Sequence, residues 1–587
     1  MIVPMKKIAV ITQAKDADGA VKSLRKLGVL HVEHAQPPKG RDISQIQDDL
    51  TLLDQAIEVV SKAEFATGCE GSLVRRDTAD WKSACRRIID VWKRLDQLEE
   101  FSRSLILKIE EWTPWGDFDP GSIHQLAAKN VFVRLYQVPT GDLDKFPEAA
   151  MVKEIFTKSN ITYCAVISRE KFELPFKEVE IPKMGISSMR KRLAEDRRII
   201  EALTDELKTF FCYHPRLIEI KKSLEKEFEF QEALAGMAQA GNLTYIAGYA
   251  PFDSEKALRE VAGEEKWGIC IDEPGRDDPI PTFIRNPKWV SVISPVFRMI
   301  EVVPGYRELD ISPLFLLFLS LFFGMIIGDA GYGLIYFGLT FLAQRAWGKK
   351  MDDKSVFFLF YLFSFCAIIW GLLTGTVFGQ EWYLGRGFKA FVPILNNTKF
   401  LQALCFFIGA FHLTLAHSWR AVLKLPSPSA LADIGWICVL WAAFFLAKLL
   451  ILGESFPFFG KWLIIAGVTL VILFTNPQKN ILKGIGEGLA TVALSLVNNF
   501  TDVVSYIRLF AVGLAGVAIS NTVNTLAGSA GNGNILAQSL IIFAGHTINM
   551  LLGPMSVLVH GIRLNVLEFS SHANVTWSGV AYKPLKE

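Results

Sequence analysis

The chain has 587 residues, 51% of which are hydrophobic, and a formal net charge of +2. This length exceeds what a single hydrophobic core organises, and the near-neutral charge argues against a nucleic-acid partner, which would require a basic face. Charged residues are frequent before Asp310, whereas Leu, Phe, Ile, Ala and Gly dominate after it. The sequence therefore predicts two domains in different solvents, residues 1–310 in water and residues 311–587 in a membrane.

Three features restrict the chemistry of the water-soluble part. Its first thirty residues surround one short apolar run with Lys6, Lys7, Asp16 and Asp18, which is too polar for a signal peptide, so we expect a cytoplasmic N-terminal domain. The eight cysteines of the chain are scattered without metal-ligand spacing, which predicts reduced thiols and no metal site. This half contains no phosphate-binding loop motif, so we expect no cofactor, and any ATP would be hydrolysed by another chain.

Short strand and helix patterns occur at both ends of the soluble half. Residues 6–12 and 29–33 are typical of strands, residues 18–27 are typical of a helix, and VFVRLYQV and YCAVIS are typical of later strands. Towards residue 270, LTYIAGYAP, SEKALREV and WGICID indicate strand, helix and strand. The fold class predicted for this half is α+β, with two small α/β lobes.

Between the lobes, apolar residues recur at alternating intervals of three and four residues, which is the spacing of a coiled coil. The outgoing seam contains Ile46, Leu50, Leu53, Ile57 and Val60, followed by Ile88, Val91, Leu95, Leu98 and Leu105. The returning seam contains Leu193, Ile200, Leu203, Leu207, Phe210, Leu217 and Leu224. We predict that two long helices join the lobes as an antiparallel coiled coil, although each leucine alone equally fits an ordinary helix core.

Apolar stretches long enough to cross a hydrocarbon core of about 30 Å follow residue 310. They lie at 311–345, 355–379, 400–419, 431–452, 460–475, 487–527 and 534–569. The first contains GDAGYG in its middle, which predicts either two short spans or one broken helix. A single helix over 487–527 would extend roughly 60 Å, so we predict that the last two helices are long and tilted or broken.

The distribution of Lys and Arg favours eight transmembrane helices in an all-α domain. If the N-terminus is cytoplasmic and the chain crosses eight times, the loops near 345–354, 420–430 and 476–487 and the C-terminal tail are also cytoplasmic. These segments together carry 10 Lys and Arg. The opposite loops at 380–399, 453–461 and 526–534 carry 4. Cytoplasmic loops are usually the more basic ones, and seven crossings would reverse the bias.

Two arginines lie inside the last spans, Arg508 in SYIRLFAVGLAG and Arg563 in HGIRLNVLEF. A guanidinium in the bilayer costs at least about 2.5 kcal/mol on insertion scales, so such residues are usually functional. Arginine keeps its proton at physiological pH, which suits it to attract a mobile carboxylate and not to relay protons. The structural alternative is an ion pair with Asp502 or Glu568, or snorkelling to the interface.

Polar residues of the same helices predict separate approaches from the two sides of the membrane. The outer halves carry Ser520, Asn521, Asn524, Gln538, His546 and Asn549. The inner halves carry Asn498, Asn499, Asp502, Asn565 and Glu568, and we add Ser505 and His560 as candidate lining residues. These residues fit two offset half-channels, and for the serines and asparagines hydrogen bonding between helices is an equally good interpretation.

Five motifs carry a resemblance to a known family. They are PTFIRNPKWV and VVPGYRELDISP before the membrane, FFGMIIGDAGYGL in the first span, and the two arginine motifs. Over essentially its whole length the chain resembles the a subunit, also called subunit I, of the V-type and A-type rotary ATPases. The resemblance implies that Arg508 is the essential arginine, Arg563 the second arginine on the final helix, and Glu568 the acidic residue five positions later. Many eukaryotic relatives carry acids where this chain has Gly553 and Leu494.

The resemblance implies the function of a membrane stator subunit with a cytoplasmic arm. H⁺ or Na⁺ would enter one half-channel, neutralise a ring carboxylate and leave through the other half-channel after nearly a full turn, with Arg508 separating the two paths. The implied partners are the proteolipid ring, peripheral-stalk, central-stalk and head subunits, and the lipid of a bacterial or archaeal plasma membrane.

Two alternatives remain open at this point. A secondary transporter or channel with a cytosolic regulatory domain usually has broken helices in both halves, whereas a GD-interrupted span occurs here once. A coiled-coil scaffold anchored in the membrane would give no role to arginines inside its spans.

Overall fold

The computed structural model describes residues 1–62, 80–140, 146–147, 150–158, 160–170, 176–349, 351, 353–379, 391–475, 492, 495–530 and 535–586. These residues divide into two compact units. One contains Met1–Val10, Val29–Val32 and Ala247–Pro584, and the other contains Ile11–Gly28, Glu33–Ile246 and Leu585–Glu587. The loop predicted at 476–487 lies outside the described residues, as do residues 380–390 of the loop at 380–399 and residues 531–534 of the loop at 526–534.

The strands of the described residues form three sheets. They are β1 (Met5–Gln13), β2 (His31–Glu33), β3 (Phe132–Pro139), β4 (Met151–Lys158), β5 (Ile161–Ser168), β6 (Lys177–Val179), β7 (Ala238–Ala240), β8 (Leu243–Pro251), β9 (Gly268–Asp272), β10 (Pro281–Thr282) and β11 (Val580–Ala581). The first sheet has the order β2-β8-β1-β9 with β7 beside β8, the second has the order β4-β5-β3-β6, and β10 pairs with β11. Every strand predicted from the sequence is therefore confirmed.

Alternation explains why these strands were predictable and why β4, one of the strands that the sequence analysis did not predict, was not. In β1, Ile8 and Val10 point to the buried face of the sheet, whereas Ile11 points to the opposite face and is exposed. This alternation is the period of two expected of a half-buried strand. β4 pairs with β5 along its length, yet its apolar residues Met151 and Ile155 are exposed. Its sequence therefore lacks the buried apolar face by which strands are recognised.

The soluble helices are α1 (Ala17–Leu27), α2 (Arg41–Val60), α3 (Trp81–Trp112), α4 (Pro120–Ala128), α5 (Ile186–Phe211), α6 (His214–Ala235), α7 (Glu255–Glu264) and α8 (Ser294–Met299). The predicted coiled-coil residues bury each other, because Leu53, Ile88, Val91, Leu95, Leu207 and Leu217 belong to one core. The prediction of one continuous returning helix is wrong: it ends at Phe211, and a new helix begins at His214 with Pro215 in its first turn. Proline there has no N–H for the preceding turn and fits the start of a helix.

A polar layer interrupts the apolar seam between α3 and α5. Ser102 follows Leu98 at the heptad spacing and Asp196 follows Leu193, and both polar side chains are buried. Neither carboxylate oxygen of Asp196 nor the Ser102 hydroxyl has a hydrogen-bond partner among the described residues, and Arg192 Nε lies 3.2 Å from Asp196 Oδ1. Polar groups at core positions of a coiled coil lower its stability and favour one register.

The described residues after 310 form eight further α-helices. They are α9 (Ser312–Ile327), α10 (Ala330–Trp347), α11 (Ser355–Thr374), α12 (Thr398–Lys424), α13 (Ala430–Ala447, continued by a wide turn at Lys448–Leu452), α14 (Phe458–Phe474), α15 (Ser495–Ser529) and α16 (Ile535–Ala573). Five segments in the described part are long and apolar enough to cross a membrane, corresponding to α11, α12, α13, α15 and α16, and α9 and α14 are shorter apolar helices. This part of the chain is helical, as predicted.

The GDAGYG motif separates α9 from α10, so the first apolar stretch is two helices. Gly328 adopts φ +63°, the left-handed conformation that ends a helix and that glycine adopts without strain. Asp329 then begins α10, because its carboxylate accepts a hydrogen bond from Tyr332 N at 3.0 Å. The second carboxylate oxygen accepts from Gly379 N at 2.7 Å.

The last helix, α16, is irregular in its second half. Pro554 lies inside it, and wide π turns follow at Val557–Gly561 and Leu564–Phe569. Proline removes a backbone donor and crowds the preceding turn, which favours such a local adjustment. The wide turns enclose Arg563.

The C-terminal tail after α16 packs within the same unit. Glu308 accepts a hydrogen bond from Thr576 N at 2.8 Å, β11 pairs with β10, and Tyr582 donates to the carbonyl oxygen of Val29. The ring of Trp577 lies 5.9 Å from that of Phe297.

One expectation about the cysteines is corrected. Cys212 is disulfide-bonded, whereas Cys85, Cys164, Cys270, Cys366, Cys405 and Cys438 are free thiols as expected. Cys212 is an exposed residue at the break between α5 and α6.

Replacing Asp196 with leucine is expected to stabilise the coiled coil. A buried polar group without hydrogen bonds costs about 1–3 kcal/mol. Arg192, the ion-pair partner of Asp196, is about half exposed, so water can solvate its guanidinium once the carboxylate is removed. Thermal unfolding of the full chain followed by helical circular dichroism should show a higher midpoint for Asp196→Leu. Asp205→Leu is the matched control, because Asp205 is an exposed residue of the same helix. A lower midpoint for Asp196→Leu would show that the carboxylate has a stabilising partner.

Glu308→Gln is expected to destabilise the protein at neutral pH and much less in acid. Burial alone would raise the pKa of Glu308, but hydrogen bonds from Thr576 and Gly305 outweigh it and hold the pKa below its usual range. The stability that Glu308 contributes is therefore complete above its pKa in the unfolded chain and is lost as pH falls through the lowered pKa. We expect a difference of about 1–3 kcal/mol at pH 7.

The measurement is the thermal midpoint of both proteins from pH 7 down to acid pH. Glu273→Gln serves as control, because its side chain is mostly exposed. A difference between natural chain and Glu308→Gln that does not narrow in acid would refute the role given to the carboxylate.

Candidate functional site

One buried carboxylate binds both intramembrane arginines. Glu568 Oε1 lies 3.4 Å from Arg508 Nη2 and 3.8 Å from Arg563 Nε. The Glu568 side chain is 6% exposed, against 27% for Arg508 and 52% for Arg563. The ion pair proposed as the structural alternative for Arg508 is thus present with Glu568, and Asp502 has another partner.

The wide turns of α16 account for this geometry. Residues five apart in an α-helix point about 140° away from one another, because each residue turns the helix by about 100°. A π turn closes after five residues, so Arg563 and Glu568 return to one face. Arg508 reaches the same carboxylate from α15.

Three polar atoms of this cluster lack partners. Arg508 Nη1, Glu568 Oε2 and Asn565 Oδ1 are buried without a hydrogen bond among the described residues. An unpaired buried donor or acceptor costs about 1–3 kcal/mol, and more when it is charged. The cluster therefore has hydrogen-bonding capacity for water or for another group.

A second network contains ionisable residues that the sequence analysis did not select. His572 Nε2 lies 3.0 Å from Asp502 Oδ2, and His572 Nδ1 lies 2.9 Å from His417 Nε2. His417 Nδ1 in turn lies 3.3 Å from Asp433 Oδ1, and Lys424 Nζ donates to Asp433 Oδ2 at 2.6 Å. The result is a continuous row of four ionisable side chains from Asp502 to Asp433.

This row joins four helices, α12, α13, α15 and the end of α16. Arg420 strengthens it, because its guanidinium donates to the carbonyl oxygen of His572 at 2.9 Å and lies 3.5 Å from Asp433 Oδ1. The only sequence signal for it was a histidine and an aspartate inside apolar stretches, at His417 and Asp433. Neither residue type alone distinguishes a relay from a structural hydrogen bond.

A third network surrounds the hydroxyl of Tyr332 on α10. It lies 2.7 Å from Ser520 Oγ and 2.6 Å from His546 Nδ1, and it accepts from Asn549 Nδ2 at 3.1 Å. His546 Nε2 lies 3.0 Å from Asn524 Oδ1. The predicted outer residues Ser520, His546, Asn549 and Asn524 are thus brought together, and Tyr332, which sequence reasoning missed, connects them.

A cavity of about 140 Å³ adjoins this network. Its lining includes Tyr332, Tyr336, Gly516, Asn549, Gly553 and Ser556. The space is enough for several water molecules, and it has polar groups to bind them. The cavity lies between α9, α10 and the two long helices.

The remaining predicted residues are less connected. Ser505 donates to the carbonyl oxygen of Asp502 at 2.8 Å and lies beside Glu568. Asn499 is buried, Asn521 is exposed, and His560 is partly buried beside both arginines. Asn565 donates to the carbonyl oxygen of Gly561 within its own helix at 3.0 Å.

Comparisons with known proteins place the chain among subunits of ATP synthases. It is 30% identical to V-type ATP synthase subunit I of Borreliella burgdorferi over 100% of both chains, and 29% identical to V-type ATP synthase subunit I 1 of Treponema pallidum, again over 100% of both. It is 24% identical to A-type ATP synthase subunit I of Methanocaldococcus jannaschii, over 77% of this chain and 72% of that one. No family model matches the chain.

Among solved structures, the crystal structure of the cytoplasmic N-terminal domain of subunit I, homolog of subunit a, of V-ATPase covers 45% of this chain and 99% of that chain, with 15% identity and a TM-score of 0.22. The family assignment rests on the full-length relatives. Because they align from end to end, the chain belongs to the subunit I family of V-type and A-type ATP synthases, the membrane subunits of rotary ATPases that are not themselves catalytic.

Proposed function

We propose that this chain forms two ion half-channels against the proteolipid ring and couples the passage of H⁺ or Na⁺ to ATP hydrolysis or synthesis in other subunits. The observation that carries the proposal is the Arg508–Glu568–Arg563 cluster. Along α15, Arg508 lies between Asp502 of the second network and Ser520 of the third. If the chain were a secondary transporter or an inert scaffold, its end-to-end similarity to V-type ATP synthase subunits I would have no explanation.

Arg508 is proposed to be the gate between the half-channels. It cannot lose its proton, and one of its terminal nitrogens is buried without a partner among the described residues. A ring carboxylate reaching that nitrogen would gain about 4 kcal/mol at 4 Å for an effective dielectric constant of 20. This attraction keeps the carboxylate ionised and is weak enough for rotation to break.

Glu568 is proposed to hold the Arg508 side chain in a position where it can interact with a carboxylate of the ring. Without an incoming carboxylate, the single negative charge of Glu568 faces two guanidinium groups, so the cluster carries one excess positive charge. That excess makes a second anion favourable at the same place. Arg563, the more exposed arginine, lies on the helix whose exposed apolar side chains include Leu536, Leu540, Phe543, Leu551 and Met555.

The inner half-channel is proposed to include Asn499, Asp502, Ser505, His560, Asn565 and Glu568. The row from Asp502 through His572 and His417 to Asp433 supports this assignment, because it links the arginine region to the basic end of α12. Lys424, which pairs with Asp433, is partly exposed at that end.

The outer half-channel is proposed to include Asn521, Asn524, His546 and Asn549. The hydrogen bonds around Tyr332 and the adjoining cavity support it, because together they supply polar groups and space for water. Gly553 lines that cavity and leaves room where a larger residue would fill it.

The same proposal includes the topology of the chain. Residues 1–310 would form a cytoplasmic arm with lobes and coiled coil, and residues 311–587 would cross a bacterial or archaeal plasma membrane eight times, with the last two helices tilted along the ring. The arm would bind peripheral-stalk subunits and work beside the central stalk and head. The eight helices that the described residues form between Ser312 and Ala573 support the count.

Arg508→Ala is expected to abolish ATP-driven ion uptake into vesicles that carry the assembled complex. Without the fixed positive charge, ions can pass between half-channels without turning the ring, so ATP hydrolysis should continue uncoupled. Uptake is followed for H⁺ with a fluorescent pH probe and for Na⁺ with radioactive sodium. Arg345→Ala is the matched control, since Arg345 lies near the end of α10 and outside the three networks. If the Arg508→Ala complex took up ions at the same ATP-driven rate as the natural complex, the proposal that Arg508 is the gate would be wrong.

Tyr332→Phe is expected to slow uptake several-fold while the complex still assembles. The change removes the hydroxyl that contacts Ser520, His546 and Asn549, and each lost buried hydrogen bond costs about 1 kcal/mol, roughly a factor of five. Tyr361→Phe is the control, because it removes a hydroxyl that bonds Gln344 away from the cavity. If the two variants took up ions at equal rates, Tyr332 would have no role in the outer half-channel.

A further inference from the structure

We infer that the C-terminal tail, residues 576–584, is a mechanical tie that holds the end of α16 to residues near the start of the chain, and that efficient coupling of ion transport to ATP hydrolysis requires this tie. The inference rests on the proposed function, because a tie of this kind matters only where a load acts on α16. Three observations support it: where the tail begins, what it pairs with and where it ends.

The tail begins against the membrane helices. The ring nitrogen of Trp577 donates to the carbonyl oxygen of Val566 at 3.2 Å, and Val566 belongs to the wide turn Leu564–Phe569 of α16. The ring of Trp577 also lies 6.5 Å from that of Phe315 on α9. This end of the tail is therefore attached both to the helix that carries Arg563 and to the first helix after residue 310.

The middle of the tail follows the segment that precedes α9. Gly579 N donates to the carbonyl oxygen of Val303 at 3.1 Å, and Tyr582 N donates to that of Thr282 at 3.2 Å. Between these two bonds β11 pairs in parallel with β10. A Cβ added to Gly579 would overlap the carbonyl oxygen of Pro304, so glycine is the residue that lets the tail lie this close.

The tail ends among residues that come from the start of the chain. The Tyr582 hydroxyl donates to the carbonyl oxygen of Val29. The Tyr582 side chain also packs against the apolar cluster of Met5, Tyr249 and Ile280. Burial raises the pKa of Tyr582 to about 12, so the hydroxyl stays protonated and remains a donor at neutral pH. Tyr582 is thus held by its ring and by its hydroxyl together.

Lys583 contributes to the same end through its backbone. Its N–H donates to His31 Nδ1 at 3.1 Å, whereas the residue as a whole is exposed. Replacing the Lys583 side chain therefore leaves the backbone contact of the tail in place. This makes Lys583 a matched control for its neighbour Tyr582.

Two attachments restrain the membrane helices where one does not. α9 follows directly from the segment that pairs with the tail, whereas α16 comes last among the helices. A single covalent connection lets helices swivel, because each residue has two soft backbone dihedrals. Apolar packing between helices is non-directional, whereas a hydrogen bond is lost when its donor and acceptor move apart. The tail therefore opposes a movement of α16 that the connection at α9 leaves free.

The consequence concerns the number of ions moved for each ATP. In the proposed function the ring turns against α15 and α16, and each step of rotation loads α16. If the end of α16 gives way under this load, the ring slips and ATP is hydrolysed without ion transport. Loss of the tie should therefore lower the ratio of ions taken up to ATP hydrolysed.

The first test asks whether the tail occupies this place in the assembled complex. Thr282 and Ala581 are paired Cα positions of β10 and β11, so Thr282→Cys with Ala581→Cys should form a disulfide when membranes are treated with diamide as oxidant. Ser578 aligns with Val303 instead, which makes Thr282→Cys with Ser578→Cys the matched control. Mass spectrometry of the peptides identifies the bond. Equal bridging in the two pairs, or none in either, would overturn the inference.

The second test measures coupling in vesicles that carry the assembled complex. Tyr582→Ala removes the ring and the hydroxyl together, so the ratio of ions taken up to ATP hydrolysed should fall several-fold while hydrolysis continues. Lys583→Ala should keep the natural ratio. The oxidised cysteine pair at 282 and 581, combined with Tyr582→Ala, should restore the ratio, because the disulfide replaces the lost tie with a covalent bond.

Each outcome of the second test decides the question. A natural ratio in Tyr582→Ala, or a lowered ratio that the disulfide does not restore, would contradict the tie. If Tyr582→Ala did not assemble, Tyr582→Phe, which removes only the bond to Val29, would take its place under the same criteria. If the natural complex itself took up no ions with ATP, the proposed function would fail and the coupling role with it, whereas a bridged pair at 282 and 581 would still establish the attachment.

Discussion

The membrane part depends on one unequal ion pair, a single buried carboxylate shared by two arginines. Charges in a bilayer are costly unless they are paired, and Glu568 offers only one negative charge to Arg508 and Arg563. The remaining positive charge makes the site attractive to a further carboxylate. A fully neutralised cluster would not attract a second carboxylate in this way.

Holding this cluster requires departures from regular helix geometry. α16 widens into π turns on both sides of Arg563, which brings Glu568 to the face of the arginine. α15 approaches α9 closely at Gly513, where an added Cβ would lie 2.6 Å from the carbonyl oxygen of Met325. Glycine at that position therefore allows the helix that carries Arg508 to pack closely against α9.

The sequence singled out Arg508, Arg563 and Glu568 but not the two histidines of the row from Asp502 to Asp433, for a physical reason. Arg508, Arg563 and Glu568 stand out because charges are rare inside apolar spans. His417 and His572 are ordinary residues until the fold brings them together, since 155 positions separate them along the chain. The break in the returning coiled-coil helix was visible as Pro215, but the heptad pattern continues across it and concealed the break.

The end of the chain links the ion site to the segment that precedes the membrane. α16 carries Arg563 and Glu568, and its tail pairs through β11 with β10 and through Thr576 with Glu308. A force applied to α16 is therefore passed through backbone and carboxylate hydrogen bonds to residues 281–308, and not only through the apolar contacts between helices. Apolar contacts are non-directional and resist sliding weakly, whereas a hydrogen bond is lost when its donor and acceptor move apart, so the tail attaches α16 to this segment more firmly than packing alone would.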